Sequence, residues 1–101
     1  MPEFQSILKK GLDGCFVDKA VDPDRLSLHI SQIEPGTRAH PPHTHAGVEA
    51  FYILEGSGTA EVEDTIVQLN TNQVVIIDPG KLHGLVNTGS VPMRYIVIIA
   101  K

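Results

Sequence analysis

The sequence predicts an all-β fold, a sandwich or small barrel built from many short strands. Seven Pro and nine Gly break the chain at short intervals, and the stretches between them are rich in Val, Ile, Leu and Thr. Several stretches alternate apolar and polar residues with the period of a half-buried strand. One segment alone, Glu3 to Leu12, carries a helical stripe, with Phe4, Ile7, Leu8 and Leu12 able to share a face. A cap or a swapped strand fits that segment equally well.

The elements follow in order. Gly14 to Val21 reads as a strand closed by the turn Asp22-Pro23-Asp24. Leu26 to Ser31 alternates apolar and polar until Glu34-Pro35-Gly36 turns the chain. Val48 to Leu54 is a strand ended by Glu55-Gly56-Ser57-Gly58. Thr59 to Val62 and Thr65 to Leu69 flank Glu63-Asp64, a tight hairpin turn without the usual glycine. Val74 to Ile77 and Tyr95 to Ala100 are β-branched blocks, short enough to be strands buried on both faces.

Composition narrows the function classes. With 101 residues there is room for one core and one site. Apolar residues make up 42% and charged residues 20%, which excludes a disordered or fibrous chain. No apolar stretch approaches the roughly 20 residues that span a bilayer, and the N-terminus has no basic start followed by an apolar block. The expectation is a cytoplasmic protein with no membrane contact. A formal charge of -4, with no basic cluster, argues against nucleic acid as a partner. The single cysteine, Cys15, can form no internal disulfide and no thiolate metal site, and reads as a small apolar residue.

The chemistry concentrates in the histidines. His40, His43 and His45 crowd into six positions, with Glu49 just behind. On an extended chain His43 and His45 point to one face, and Glu49 keeps their parity. The Ala46-Gly47 step permits a turn that brings the carboxylate beside the imidazoles. Further on, Asp78-Pro79-Gly80-Lys81-Leu82-His83 places another histidine after a Pro-Gly turn, at the start of the next strand. Three imidazoles and one carboxylate, without sulfur, suit a divalent transition metal: Fe, Mn, Ni, Co, Cu or Zn. In an octahedral metal, four protein ligands leave two positions for water or substrate. With tetrahedral zinc they close a structural site.

The stretch Gly36 to Gly56 resembles the first motif of the cupin superfamily, Gly-x5-His-x-His-x3,4-Glu-x6-Gly, with one extra residue between Gly36 and His43. Asn72 to Asn87 resembles the second, Gly-x5-Pro-x-Gly-x2-His-x3-Asn. Gly80, His83 and Asn87 are in register, Asn72 stands at the first glycine and Asp78 at the proline. The resemblance implies a cupin-type double-stranded β-helix, a small jelly-roll barrel. Residues 1–101 then form one domain, with 1–25 as an N-terminal strand or arm and 26–100 as the barrel core. It also implies a metal held inside the barrel by His43, His45, Glu49 and His83.

Other residues carry softer expectations. His40 reads as a loop histidine or one at the pocket mouth, and His29 as a sheet histidine. Arg38 and Arg94 are surface residues or anchors for a substrate carboxylate. Tyr52 and Tyr95 are explained by packing. If Glu49 points inward, so do Phe51 and Ile53, while Val48, Ala50, Tyr52 and Leu54 form an apolar outer face that a second subunit of a two-fold homodimer would cover. The expected function is that of a metal-dependent enzyme acting on a small oxygen-rich metabolite. Dioxygenase-like chemistry leads, with isomerase or lyase chemistry open, and Glu49 and His40 are the proton-transfer candidates. The alternative is a non-catalytic cupin that binds a small molecule or a metal.

Overall fold

The computed structural model describes residues 1–101. It is all-β but for one 3₁₀ turn at Pro23–Arg25, where the Asp22 carboxylate accepts from the Asp24 amide. Nine strands follow one another: β1 (Phe4–Ile7), β2 (Cys15–Asp18), β3 (Leu26–Ile33), β4 (Val48–Glu55), β5 (Gly58–Val62), β6 (Thr65–Leu69), β7 (Val74–Ile77), β8 (His83–Val86) and β9 (Met93–Ala100). All pairings are antiparallel. The larger sheet runs β3-β9-β4-β7 and the smaller one β6-β5-β8, while β1 and β2 form a separate hairpin.

The two sheets face each other across a core that draws Phe51, Ile53, Tyr95 and Val97 from the larger and Ala60, Leu69 and Leu85 from the smaller. Between β3 and β4 the chain crosses from one sheet to the other. Residues 36–43 run along β8 through bonds from Gly36 N to Asn87 O, Asn87 N to Thr37 O and Ala39 N to Leu85 O. This irregular edge extends the smaller sheet and closes one side of the barrel.

Of the readings open for Glu3 to Leu12, the strand holds and the helix does not: Phe4–Ile7 pairs with Cys15–Asp18 as an antiparallel hairpin, its alternating residues finding a strand partner eight or more positions on. Val74–Ile77 and Tyr95–Ala100, expected to be buried on both faces, are not. Ile76 is 69% exposed and Val74 48%, while Ile77 is buried, so β7 is covered on its inner face alone. β9 alternates in the same way.

The inverse pattern holds in β3. Opposed residues of antiparallel strands share a face, and the register Leu28↔Ile98↔Ala50↔Ile76 lies outside, whereas His29↔Val97↔Phe51↔Val75 lies inside. From Leu26 to Ser31 the polar residues of β3 therefore face the barrel interior and the apolar ones face out, until Ile33 rejoins the core.

Candidate metal centre

The backbone brings the histidines together before any side chain acts. Pro41 and Pro42 favour an extended chain, and His43 and His83 exchange both of their backbone hydrogen bonds at 3.1 Å. Their rings meet edge to face with centroids 4.6 Å apart. The His45 amide donates to the Pro79 carbonyl at 2.9 Å, fixing the next residue of the same parity. Gly47 then turns the chain at φ +105, with its α-carbon so close to the Ala100 carbonyl that any Cβ would collide. That turn leads into β4, where Glu49 is 3% exposed on the inner face.

The ligand-capable atoms of His43, His45, Glu49 and His83 all lie within 4.8 Å of one another. His83 Nε2 is 2.7 Å and His45 Nε2 3.3 Å from Glu49 Oε1. The outer ring nitrogens are already used. His83 Nδ1 donates to the Lys81 carbonyl at 2.8 Å and His45 Nδ1 to the Ala46 carbonyl at 3.1 Å. Because a carbonyl only accepts, Nδ1 carries the proton in each ring and the Nε2 lone pair points inward. Buried His45 Nε2, His83 Nε2 and Glu49 Oε1 accordingly have no hydrogen-bond partner. Lone pairs facing one another at these distances call for a cation among them. The cluster is able to bind a metal, and its nitrogen and oxygen donors fit a divalent transition ion.

The neighbours reinforce this state. Burial, and then the rings of His40, His83 and His45, hold the His43 imidazole below its ordinary 6.5 and keep it neutral for coordination. His40 is exposed and stacks on His43, centroids 4.2 Å apart and planes 20° apart, so it stands at the rim rather than in the cluster.

The departures from the second motif have local explanations. Asn72 adopts φ +65, a left-handed conformation that asparagine tolerates better than other side chains. Asp78, in place of proline, shapes its turn by accepting from the Gly80 amide at 2.9 Å. Asn87 is fully buried: its amide donates to the Ile33 and Val91 carbonyls, both at 2.8 Å, and its oxygen accepts from Gly89 N at 2.9 Å.

The sequence pattern described as "Cupin domain" matches residues 29–99. The chain belongs to the cupin family. This cupin is 31% identical over 42 residues to gentisate 1,2-dioxygenase of Haloferax sp, a match that covers 42% of the chain and only 12% of the length of that curated relative. A predicted oxalate decarboxylase from Thermotoga maritima superposes with a TM-score of 0.69 at 25% identity, over 76% of this cupin and 68% of that chain. A double-stranded β-helix protein from Klebsiella pneumoniae gives 0.71 at 18% identity, over 98% and 76% respectively, a likeness of fold.

The cluster opens on a cavity of about 620 Å³, walled on its apolar side by Phe51, Leu85 and Val97. Arg38 lines it, but its guanidinium is 2.7 Å from Glu61 Oε1 in an ion pair. Arg94 pairs in register with Gln32 on the outer face. Tyr52 also faces out and donates to Asn72 Oδ1 at 3.3 Å. Tyr95 is buried and lines the cavity, where burial pushes its phenol upward. His29 lines the cavity too, a correction to its reading as a plain sheet histidine. Burial, then Lys10 and Lys9, hold it below 6.5. Sequence reasoning missed Lys10 and Ser31 altogether. The inverted polarity of β3 would have pointed to Ser31; nothing local marked Lys10.

Proposed function

We propose that this cupin is a metal-dependent enzyme for a small oxygen-rich metabolite, with dioxygenase-like chemistry as the leading reading. His43, His45, Glu49 and His83 are its metal ligands. The observation that carries the proposal is the set of inward, unpartnered Nε2 and carboxylate atoms at the base of an open cavity. The likeness to part of gentisate 1,2-dioxygenase supports the choice of oxygen chemistry over isomerisation or elimination.

A bound divalent metal would supply Lewis acidity toward a chelating carboxylate, enolate or diol and, if it is iron, a route to oxygen. The chain does the rest. Phe51 and Val97, both buried, exclude water from one wall. The Lys81 and Ala46 carbonyls hold the His83 and His45 rings in the coordinating tautomer. His40 is positioned at the rim to carry a proton between the cavity and water, and Glu49 is the second candidate for that role. A cytoplasmic setting belongs to the same proposal and agrees with a lone cysteine that is free. No helix is long and apolar enough to cross a membrane.

The test is elemental analysis of untagged protein purified without chelator, beside a His43→Ala/His45→Ala variant. Iron-loaded protein is then assayed in an oxygen electrode with a panel of dihydroxy and oxo acids. The expected result is near-stoichiometric metal that disappears in the variant, with oxygen uptake on at least one acid. No metal after reconstitution overturns the proposal, and metal with acid binding but no turnover assigns the chain to the non-catalytic cupins instead.

A further inference from the structure

The cavity has a second polar end that the ligand cluster does not use. On the inner face, His29 and Ser31 of β3 oppose Val97 and Tyr95 of β9. Lys10, which precedes β2, reaches over this edge and donates from Nζ to Ser31 Oγ at 2.9 Å. Tyr95 stands directly opposite the same serine on the inner face. All five side chains line the cavity. The backbone holds Lys10 in place, since its carbonyl accepts from the Ile30 amide at 2.8 Å. Gly11, at φ +78, packs so tightly on Ile30 that a Cβ would collide.

Charge distinguishes this end. Of the two cations lining the cavity, Arg38 is neutralised by Glu61, whereas Lys10 forms no ion pair. The acidic groups lining it are Glu49, turned into the ligand cluster, and Glu34, whose carboxylate accepts from the Gln32 amide at 3.1 Å on the rim. An ammonium with hydroxyl donors beside it, left without a carboxylate, is built to receive one.

Spacing adds a length. Ser31 opposes Tyr95, and Glu49 opposes Ile99, so the two ends lie four residues apart along β9. At the rise of an extended strand that is ~13 Å, a span suited to an elongated acid and out of reach of a two-carbon one. The level between them is formed by Phe51 and Val97, at 5% and 6% exposure, with the His29 imidazole beside them on β3.

We propose that Lys10, with Ser31 and Tyr95, binds the terminal carboxylate of an elongated acid whose other end presents oxygens to the His43, His45, Glu49 and His83 cluster. This rests on the reading of that cluster as a metal site. Lys10 is a specificity-determining residue, and it selects elongated acids over compact ones such as oxalate.

Calorimetric titration of metal-loaded protein with adipate and with oxalate tests the proposal, using wild type, Lys10→Met and Gly11→Ala. The last displaces the lysine without removing its charge. Both substitutions are expected to weaken adipate binding about tenfold, the scale of one charged hydrogen bond, and to leave oxalate binding and metal affinity unchanged. Equal losses for both acids, or no loss for adipate, overturn it. If metal titration shows that wild type binds no metal, the cluster reading fails separately. Adipate uptake by the metal-free protein that depends on Lys10 then still upholds the carboxylate end, and uptake indifferent to Lys10 overturns it.

Discussion

His83 Nε2 lies 2.7 Å from Glu49 Oε1, while the opposite nitrogen of the same ring is held by the Lys81 carbonyl. The ring cannot turn away without breaking that bond, so the imidazole and the carboxylate are placed to share a cation. Substitutions in the cluster should therefore act on metal affinity far more than on the fold. His45→Ala is expected to weaken metal binding more than about 100-fold, beyond the usual cost of losing a supporting residue, with the circular dichroism of a folded barrel retained. Glu49→Gln keeps an oxygen donor and loses the charge, so competition against a chelating dye should show a smaller fall. An equal or larger fall would make the carboxylate the dominant ligand.

Acid should destabilise the metal-free protein. His29 and His43 are both held below 6.5 in the folded state. Above 6.5 both are neutral whether folded or unfolded and contribute nothing. As pH falls through 6.5, the unfolded chain takes up protons that the folded chain refuses, and stability declines until the lowered folded values are passed. The urea midpoint is expected to drop between about one unit above and one unit below 6.5, and His29→Gln should remove part of the drop. A flat profile would show that the two rings protonate freely in the fold.

Asn87 ties three backbone groups in a place water does not reach. Asn87→Ala strands the Ile33 and Val91 carbonyls and the Gly89 amide and leaves a void, at an expected cost of about 3–5 kcal/mol. Urea unfolding measures it. A loss under about 1 kcal/mol would mean that water enters and replaces the side chain.

The outer face of the larger sheet, including Val48, Val74, Ile76 and Leu26, is apolar and about half exposed or more. A second copy of the chain, packed isologously on that face, would bury it. Sedimentation equilibrium at micromolar concentration is expected to give twice the chain mass, and Ile76→Glu should shift the population to monomer. Monomeric wild type would leave the face to another partner.

Where β-branched runs met turn residues, strand positions were legible: Thr65–Leu69 and Val74–Ile77 fall where the sequence puts them. The convergence of His43, His45, Glu49 and His83 was legible from parity and motif spacing, and the structure brings them together. What resisted reading was the orientation of β3 and the course of the first twelve residues. Alternation marks two faces without saying which is inner, and here a polar cavity reverses the usual assignment. The Lys10 contact with Ser31 joins residues 21 positions apart through a tertiary crossing that no local pattern encodes.

The donors of the cluster come from both halves of the sandwich: Glu49 from the larger sheet, His83 from the smaller, and His43 and His45 from the crossing strand between them. An ion seated there is also a clasp. It fastens the two layers at the cavity, beyond the packing and the Asn87 hydrogen bonds that already join them. Losing it would leave a hinge at the mouth, so the gate through which a ligand passes and the lock that keeps the layers shut are one set of atoms.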